Sequence, residues 1–137
     1  MSKMLNFINQ RIALNSISFQ RFEKSSVNSA VKVEDEISEL TVKGTSVSMT
    51  FTRKAFFRPE SLFAVEVSFI YRGDVSEETL SELEKEGKVF DLNFVSSIAI
   101  KIINGTTIPA HASLLIAQST TLNGASPLIT PPVFLEK

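Results

Sequence analysis

Few residues in this chain could carry chemistry, and those few are poorly placed for it. His111 is the only histidine. No cysteine stands near it and no carboxylate lies at a fixed spacing, so no nucleophile–base pair or metal site builds up around it. A surface or structural role is expected for it. Glu34, Asp35 and Glu36 are consecutive. In an extended segment their side chains alternate between the two sides and cannot converge on a cation. Asp91 and Glu66 could share acid and base work only if something brought them together, and nothing in the sequence does. There is no glycine-rich phosphate loop, and Asn104-Gly105-Thr106 is a glycosylation sequon only in a secreted chain. The residue types point away from an enzyme and away from any metal or cofactor.

Phenylalanine is what the chain has in excess: 11 Phe against one Tyr and no Trp. Phe has no polar handle, so it suits dry cores and apolar grooves. A length of 137 residues suggests one domain, residues 1–137, able to fold without staples. The absence of cysteine excludes a disulfide scaffold and a thiolate metal site and fits a reducing compartment. A formal charge of -1 gives no basic field for a nucleic-acid backbone. The start, Met1-Ser2-Lys3-Met4-Leu5-Asn6-Phe7, has no uninterrupted apolar stretch, and no run is long enough to span a bilayer. A cytoplasmic protein without membrane insertion is the expectation.

The elements follow from periodicity. Val47, Met49 and Phe51 alternate with Ser48, Thr50 and Thr52, which marks a half-buried strand closed by Arg53, Lys54 and the turn Arg58-Pro59-Glu60-Ser61. A second strand returns from Leu62 to Arg72, with Phe63, Val65, Val67, Phe69 and Tyr71 on one face. Before this hairpin, Arg11 to Phe19 reads as a strand. Ile12 and Leu14 share one phase, Ile17 and Phe19 the other, so a bulge or a bend is expected near Asn15-Ser16. Ser25 to Ser29 reads as loop. Val31, Val33 and Ile37 alternate with Lys32, Glu34, Glu36 and Ser38, an edge strand with one charged face. After Gly73 the period becomes helical. Asp74 with Glu77 forms a capping box, Val75, Leu80 and Leu83 form a stripe, and Gly87 ends the helix. A second helix covers Asp91 to Ile103 with Phe94, Val95, Ile98 and Ile102 on one face, although its Ile and Val also fit a strand. Pro109 opens a third helix whose buried side is Ala112, Leu115, Ile116, Ser119 and Leu122. Pro127 to Phe134 should be extended. The expected fold is α+β: a four-stranded antiparallel sheet, strands in sequence order, with the helices packed on one face.

The opposite face of the returning strand carries Leu62, Ala64, Glu66, Ser68 and Ile70. That face is too apolar for open water and too polar for a core. A second copy covering Leu62, Ala64 and Ile70 would explain it, giving a homo-oligomer, and scattered surface hydrophobes are the plainer alternative.

Four strands, then helices, then a Pro-rich extended end resemble the SecB family of export chaperones. The likeness is carried by Arg11-Ile12 with Ile17-Ser18-Phe19, by Phe63-Ala64-Val65-Glu66-Val67, and by Ile108-Pro109 through Pro131-Pro132-Val133-Phe134. It spans Arg11 to Phe134 and rests on pattern and spacing. It implies a dimer or dimer of dimers that holds unfolded or nascent polypeptide, as in protein export, in apolar grooves beside the sheet. Phe56, Phe57, Phe69, Phe90, Phe94 and Phe134 are the candidate lining, with core packing the alternative for any one of them. In the family, acidic residues on the first and fourth strands dock the translocation ATPase. The first-strand positions fall on Ser16 and Gln20, which are uncharged, and only Glu66 is kept. The chain also stops at Lys137, short of the family's C-terminal helix and tail. Docking of that ATPase is therefore doubtful, and a SecB-like protein with another role, for example with an antitoxin, is the alternative.

Overall fold

The computed structural model describes residues 6–22, 30–58, 62–124 and 127–136. The expected loop Ser25 to Ser29 and Pro59, Glu60 and Ser61 of the expected turn lie outside them. Four strands, β1 (Phe7–Arg21), β2 (Ala30–Lys43), β3 (Ser46–Arg58) and β4 (Phe63–Val75), precede three helices, α1 (Glu77–Lys85), α2 (Leu92–Asn104) and α3 (Ile108–Leu122). All strand pairs are antiparallel, and the fold is α+β as expected.

The strands do not lie in sequence order. The sheet runs β1-β4-β3-β2, so β1 sits beside β4 and is an edge. Few residues separate β2 from β3 and β3 from β4 in sequence, which favours them as neighbours. Residues 22–29 reach roughly 26 Å when extended, more than the ~14 Å across three strand spacings. The first connection can therefore cross the sheet.

β3 and β4 form the centre. Val47, Met49, Phe51 and Ala55 face Phe63, Val65, Val67, Phe69 and Tyr71, all buried. α3 packs on β4 and β3, and α2 packs on β2. Both edge strands bend to keep their apolar residues on this face. In β1 the register shifts between Leu14 and Ser16, as the phase change predicts. The extra residue puts Ile12 and Leu14 opposite Tyr71 and Phe69, and Ile17 and Phe19 opposite Val67 and Val65. Directly opposed residues share a face, so all four point to the helix side. In β2 a shift between Ser38 and Thr41 does the same for Leu40 and Val42, with Glu39 at φ 51°.

Further expectations need correction. Asp74 does not cap α1. It still belongs to β4, and the cap is Ser76, whose Oγ accepts from the Thr79 amide at 3.3 Å. Arg53 does not close β3. The strand runs on to Arg58, and Arg53 is wholly buried. Leu122 is exposed, because α3 ends there beyond the sheet it covers. Val75, expected on the stripe of the first helix, is the last residue of β4. The capping and stop signals that follow hold. Asp91 accepts from the Phe94 amide at 2.9 Å, and Asp91 to Ile103 is helix, not strand. Gly87 at φ 73° lets Lys88 and Gly87 donate back to the Leu83 and Glu84 carbonyls, a Schellman close.

Gly73 is needed for a different reason. A Cβ there would stand 2.6 Å from the Tyr71 hydroxyl, which lies over Gly73 and donates to Gln10 at 2.9 Å. Burial first, then the Asp74 carboxylate, pushes the Tyr71 pKa up from 10.0 to about 12. The folded chain thus keeps this proton after the unfolded chain has lost it. Stability from Tyr71 is intact below pH 10 and lost as pH rises from 10 through about 12. Tyr71 is the only tyrosine, so phenolate absorbance reads it alone. The native protein should titrate near pH 12 and the urea-unfolded chain near 10, and Tyr71→Phe should remove that part of the alkaline loss of stability.

Candidate polypeptide-binding surface

A guanidinium inside an apolar layer needs partners for every donor, since an unpaired buried charge costs several kcal/mol. Arg53 finds them in the tail. Its Nε and Nη2 donate to the two Asp35 carboxylate oxygens at 2.7 Å each, with both side chains fully buried. Nη1 donates to Ser113 Oγ (2.9 Å), Thr130 Oγ1 (3.1 Å) and the Pro131 carbonyl, and Nη2 to the Val133 carbonyl (2.7 Å). The Leu135 amide completes the Asp35 carboxylate at 2.7 Å, and the Phe134 amide donates to Asn104 Oδ1 at 2.8 Å. Residues 127–136 therefore run as an extended strap between the two covering helices and the β2–β3 side of the sheet. Phe134 packs edge-on against Phe51, centroids 5.9 Å apart.

The strap decides which side of the fold is open. On its side the space between helices and sheet is filled by the chain itself. On the other side α3 packs on β4, and among the described residues no helix covers the helix-facing row of β1. Ile12, Leu14 and Ile17 are 37%, 49% and 43% exposed, and Phe19 is half-buried. Across from them stands α3, with half-buried Leu115 packed against the core and Leu122 exposed at its end. The His111 ring lies 6.3 Å from that of Phe69, and Arg21 of β1 donates to the Asn123 carbonyl at the end of α3. The result is an open apolar trough with a free strand edge along one lip.

The phenylalanines singled out from the sequence are not gathered in one groove. Phe56 lies on the bare face of the sheet under the Lys54 ammonium, 5.2 Å from the ring centroid. Phe57 joins Phe63 and Phe19 in an aromatic cluster at the far end of the helix side. Phe69 is buried beneath α3, Phe90 and Phe94 pair at the start of α2, 6.2 Å apart, and Phe134 sits in the strap. Of the six, Phe69 borders the trough and Phe57 stands at its end. Glu66 is exposed on the bare face beside half-buried Ala64 and Ile70, and Leu62 is exposed just before β4 at φ 58°. The β1 row was missed as a surface, although its phase change was legible. Asp35 and Arg53 were missed as a pair, although each stands in phase with an apolar face.

Among the described residues there is no cluster of His, Cys, Asp and Glu able to hold a metal, and no helix is long and apolar enough to cross a membrane. The chain has a SecB-like fold. It is similar in structure to a SecB-like chaperone of Mycobacterium tuberculosis solved in complex with a ChAD peptide from an antitoxin. The TM-score is 0.51 over 94% of this chain and 87% of that one, at 8% identity. No protein-family model matches the chain, and no curated protein matches it in sequence.

Arg53→Ala should destabilise the fold by about 3–5 kcal/mol, because Asp35 is then buried without its cation. Urea denaturation reads the loss. Hydrogen exchange should show the amides of Phe134 and Leu135 losing protection before the β3–β4 ladder does.

Proposed function

We propose that this chain is a SecB-like chaperone module that holds unfolded polypeptide in extended form on the open trough beside β1. One observation carries the reading: the bulge at Asn15 places Ile12, Leu14, Ile17 and Phe19 on one face, and among the described residues no helix covers it. A soluble monomer gains nothing by aligning exposed apolar residues through a bulge, whereas a surface that takes apolar side chains from many sequences needs such a row with free backbone beside it. The similarity to a SecB-like chaperone that binds a peptide supports the same reading. Each contact yields about 25 cal/mol per Å² of apolar area, offset by ordering of the client, so holding should be weak per unit area and tolerant of salt.

A second reading has its own observation. The strap already fills the β2–β3 side, which narrows the apolar surface and suits an interaction protein with one regulatory partner, such as an antitoxin segment. Docking of the translocation ATPase has little support, since Ser16 and Gln20 face Ser68 and Ala64 across β1 and β4 without a charge, leaving Glu66 alone.

The test is suppression of aggregation of a denatured protein at low and high salt. The wild type should suppress it at both. Leu14→Asp and Ile17→Asp, each shown to be folded, should lose most of the effect. A wild type that fails at several-fold molar excess favours the regulatory reading, and unimpaired variants move the site elsewhere.

The reading includes assembly. β1 is 15 residues long and its outer edge is unpaired among the described residues, a template for a second copy of the same strand. Leu62, Ala64 and Ile70 would then serve a second contact, between dimers. Light scattering should give a dimer or a dimer of dimers, with Ile70→Asp lowering the latter to the former. A monomer at high micromolar concentration would contradict assembly.

A further inference from the structure

We propose that a cleft at one end of the bare sheet face binds a phosphoryl dianion between Arg11, Arg72 and Lys43. The cleft holds about 560 Å³ and lies on the opposite side of the sheet from the trough and the strap. That volume is within the usual range for small-ligand sites. It is floored by Val47 and Gly73 and walled by polar side chains.

The register builds an unfavourable arrangement there. Arg11 of β1 and Arg72 of β4 are direct partners, so two guanidinium stems leave the same face about 5 Å apart. Ser48 is the partner of Arg72 on β3, and Thr41 is the partner of Ser48 on β2. Lys43 stands one step further toward the strand end. Like charges directly opposite one another destabilise a sheet unless an anion lies between them. Among the described residues none of the three cations forms an ion pair.

The one carboxylate in the cleft is engaged elsewhere. Asp74 accepts from Ser46 Oγ at 2.6 Å and from Asn9 Nδ2 at 3.2 Å. Those two bonds, ahead of the Arg11 charge, hold its pKa below the ordinary value. It stays ionised but is tied to neutral donors on either side. Three cations and one carboxylate leave a local charge of about +2 in a chain whose formal net charge is -1. The patch is thus local and does not extend into a nucleic-acid track.

The donors define the ligand. Two guanidinium forks side by side suit a tetrahedral oxyanion with several equivalent oxygens, and the Ser48 and Thr41 hydroxyls extend the donor set across the sheet. A dianion matches the local charge. The cleft crosses four strands, roughly 14 Å, which leaves room beyond one phosphoryl group for a second or for the organic part of an ester. The shared chemistry is the phosphoryl group, whether in a soluble phosphate or in a lipid headgroup.

The experiment titrates the assembled wild-type protein with inorganic pyrophosphate at low chloride and follows backbone amide shifts. Parallel arms use orthophosphate and vesicles of phosphatidylcholine with and without phosphatidic acid. Saturable shifts at Ser48, Arg72 and Lys43 are expected. Arg72→Gln and Arg11→Gln, each shown to be folded, should weaken binding by about tenfold or more, the loss of one charge-assisted contact. Lys85→Gln, on α1 outside the cleft, should leave it unchanged. Saturation by pyrophosphate assigns a soluble ligand, and binding only to phosphatidic acid vesicles assigns a headgroup. Absence of saturation in every arm overturns the site. So does a response to Lys85→Gln equal to that of Arg72→Gln, or full affinity in both arginine variants.

Discussion

The buried pair of Arg53 and Asp35 is the interaction on which the arrangement of this fold depends. Taking both charges out of water is expensive, and their mutual attraction offsets that only with complete hydrogen bonding. Asp35 uses both oxygens on Arg53 and one again on the Leu135 amide. Arg53 places its remaining donors on Ser113, Thr130, Pro131 and Val133. Among the described residues no buried side-chain polar atom is left without a partner. Two well-packed apolar residues could supply equal stability at these positions. They have no direction, however, and would not fix where the carbonyls of an extended tail must lie.

That direction has a consequence on the far side of the sheet. A chain of this size has two helices long enough to cover four strands, and α2 and α3 lie over β2, β3 and β4. The strap fills what remains beside β2 and β3, so the uncovered strand is β1. Order in the sheet matters equally. With β1 beside β4, its apolar row continues the central core rather than ending a separate meander. The open trough is thus an extension of the core that no element among the described residues closes.

Much of this was legible in the residues, and the exceptions have identifiable causes. The hairpin, the third helix and the extended tail follow from strict period-two alternation, Pro109 and the Pro-rich end, signals local enough to survive tertiary context. The bulge followed from the phase change between Leu14 and Ile17. Strand order did not follow, because it depends on which edge a long connection reaches. Asp74 looked like a helix cap because a carboxylate three residues before a glutamate has that spacing. Its side chain instead bonds Ser46 on the neighbouring strand, a partner fixed only by sheet register. Arg53 read as the end of a strand because arginine belongs at the surface. Its phase with Phe51 and Ala55, and that of Asp35 with Val33 and Ile37, held the contrary signal. The candidate phenylalanines scattered because an excess of one residue type carries no information about which face each will join.

If polypeptide is held on the β1 side as proposed, the strap side stays closed. Hydrogen exchange on the assembled protein, with and without a reduced, permanently unfolded client, measures it. The account predicts added protection along β1 and at the end of α3, with the amides of Leu128, Phe134 and Leu135 unchanged. Added or lost protection confined to that strap, with β1 unaltered, would contradict it.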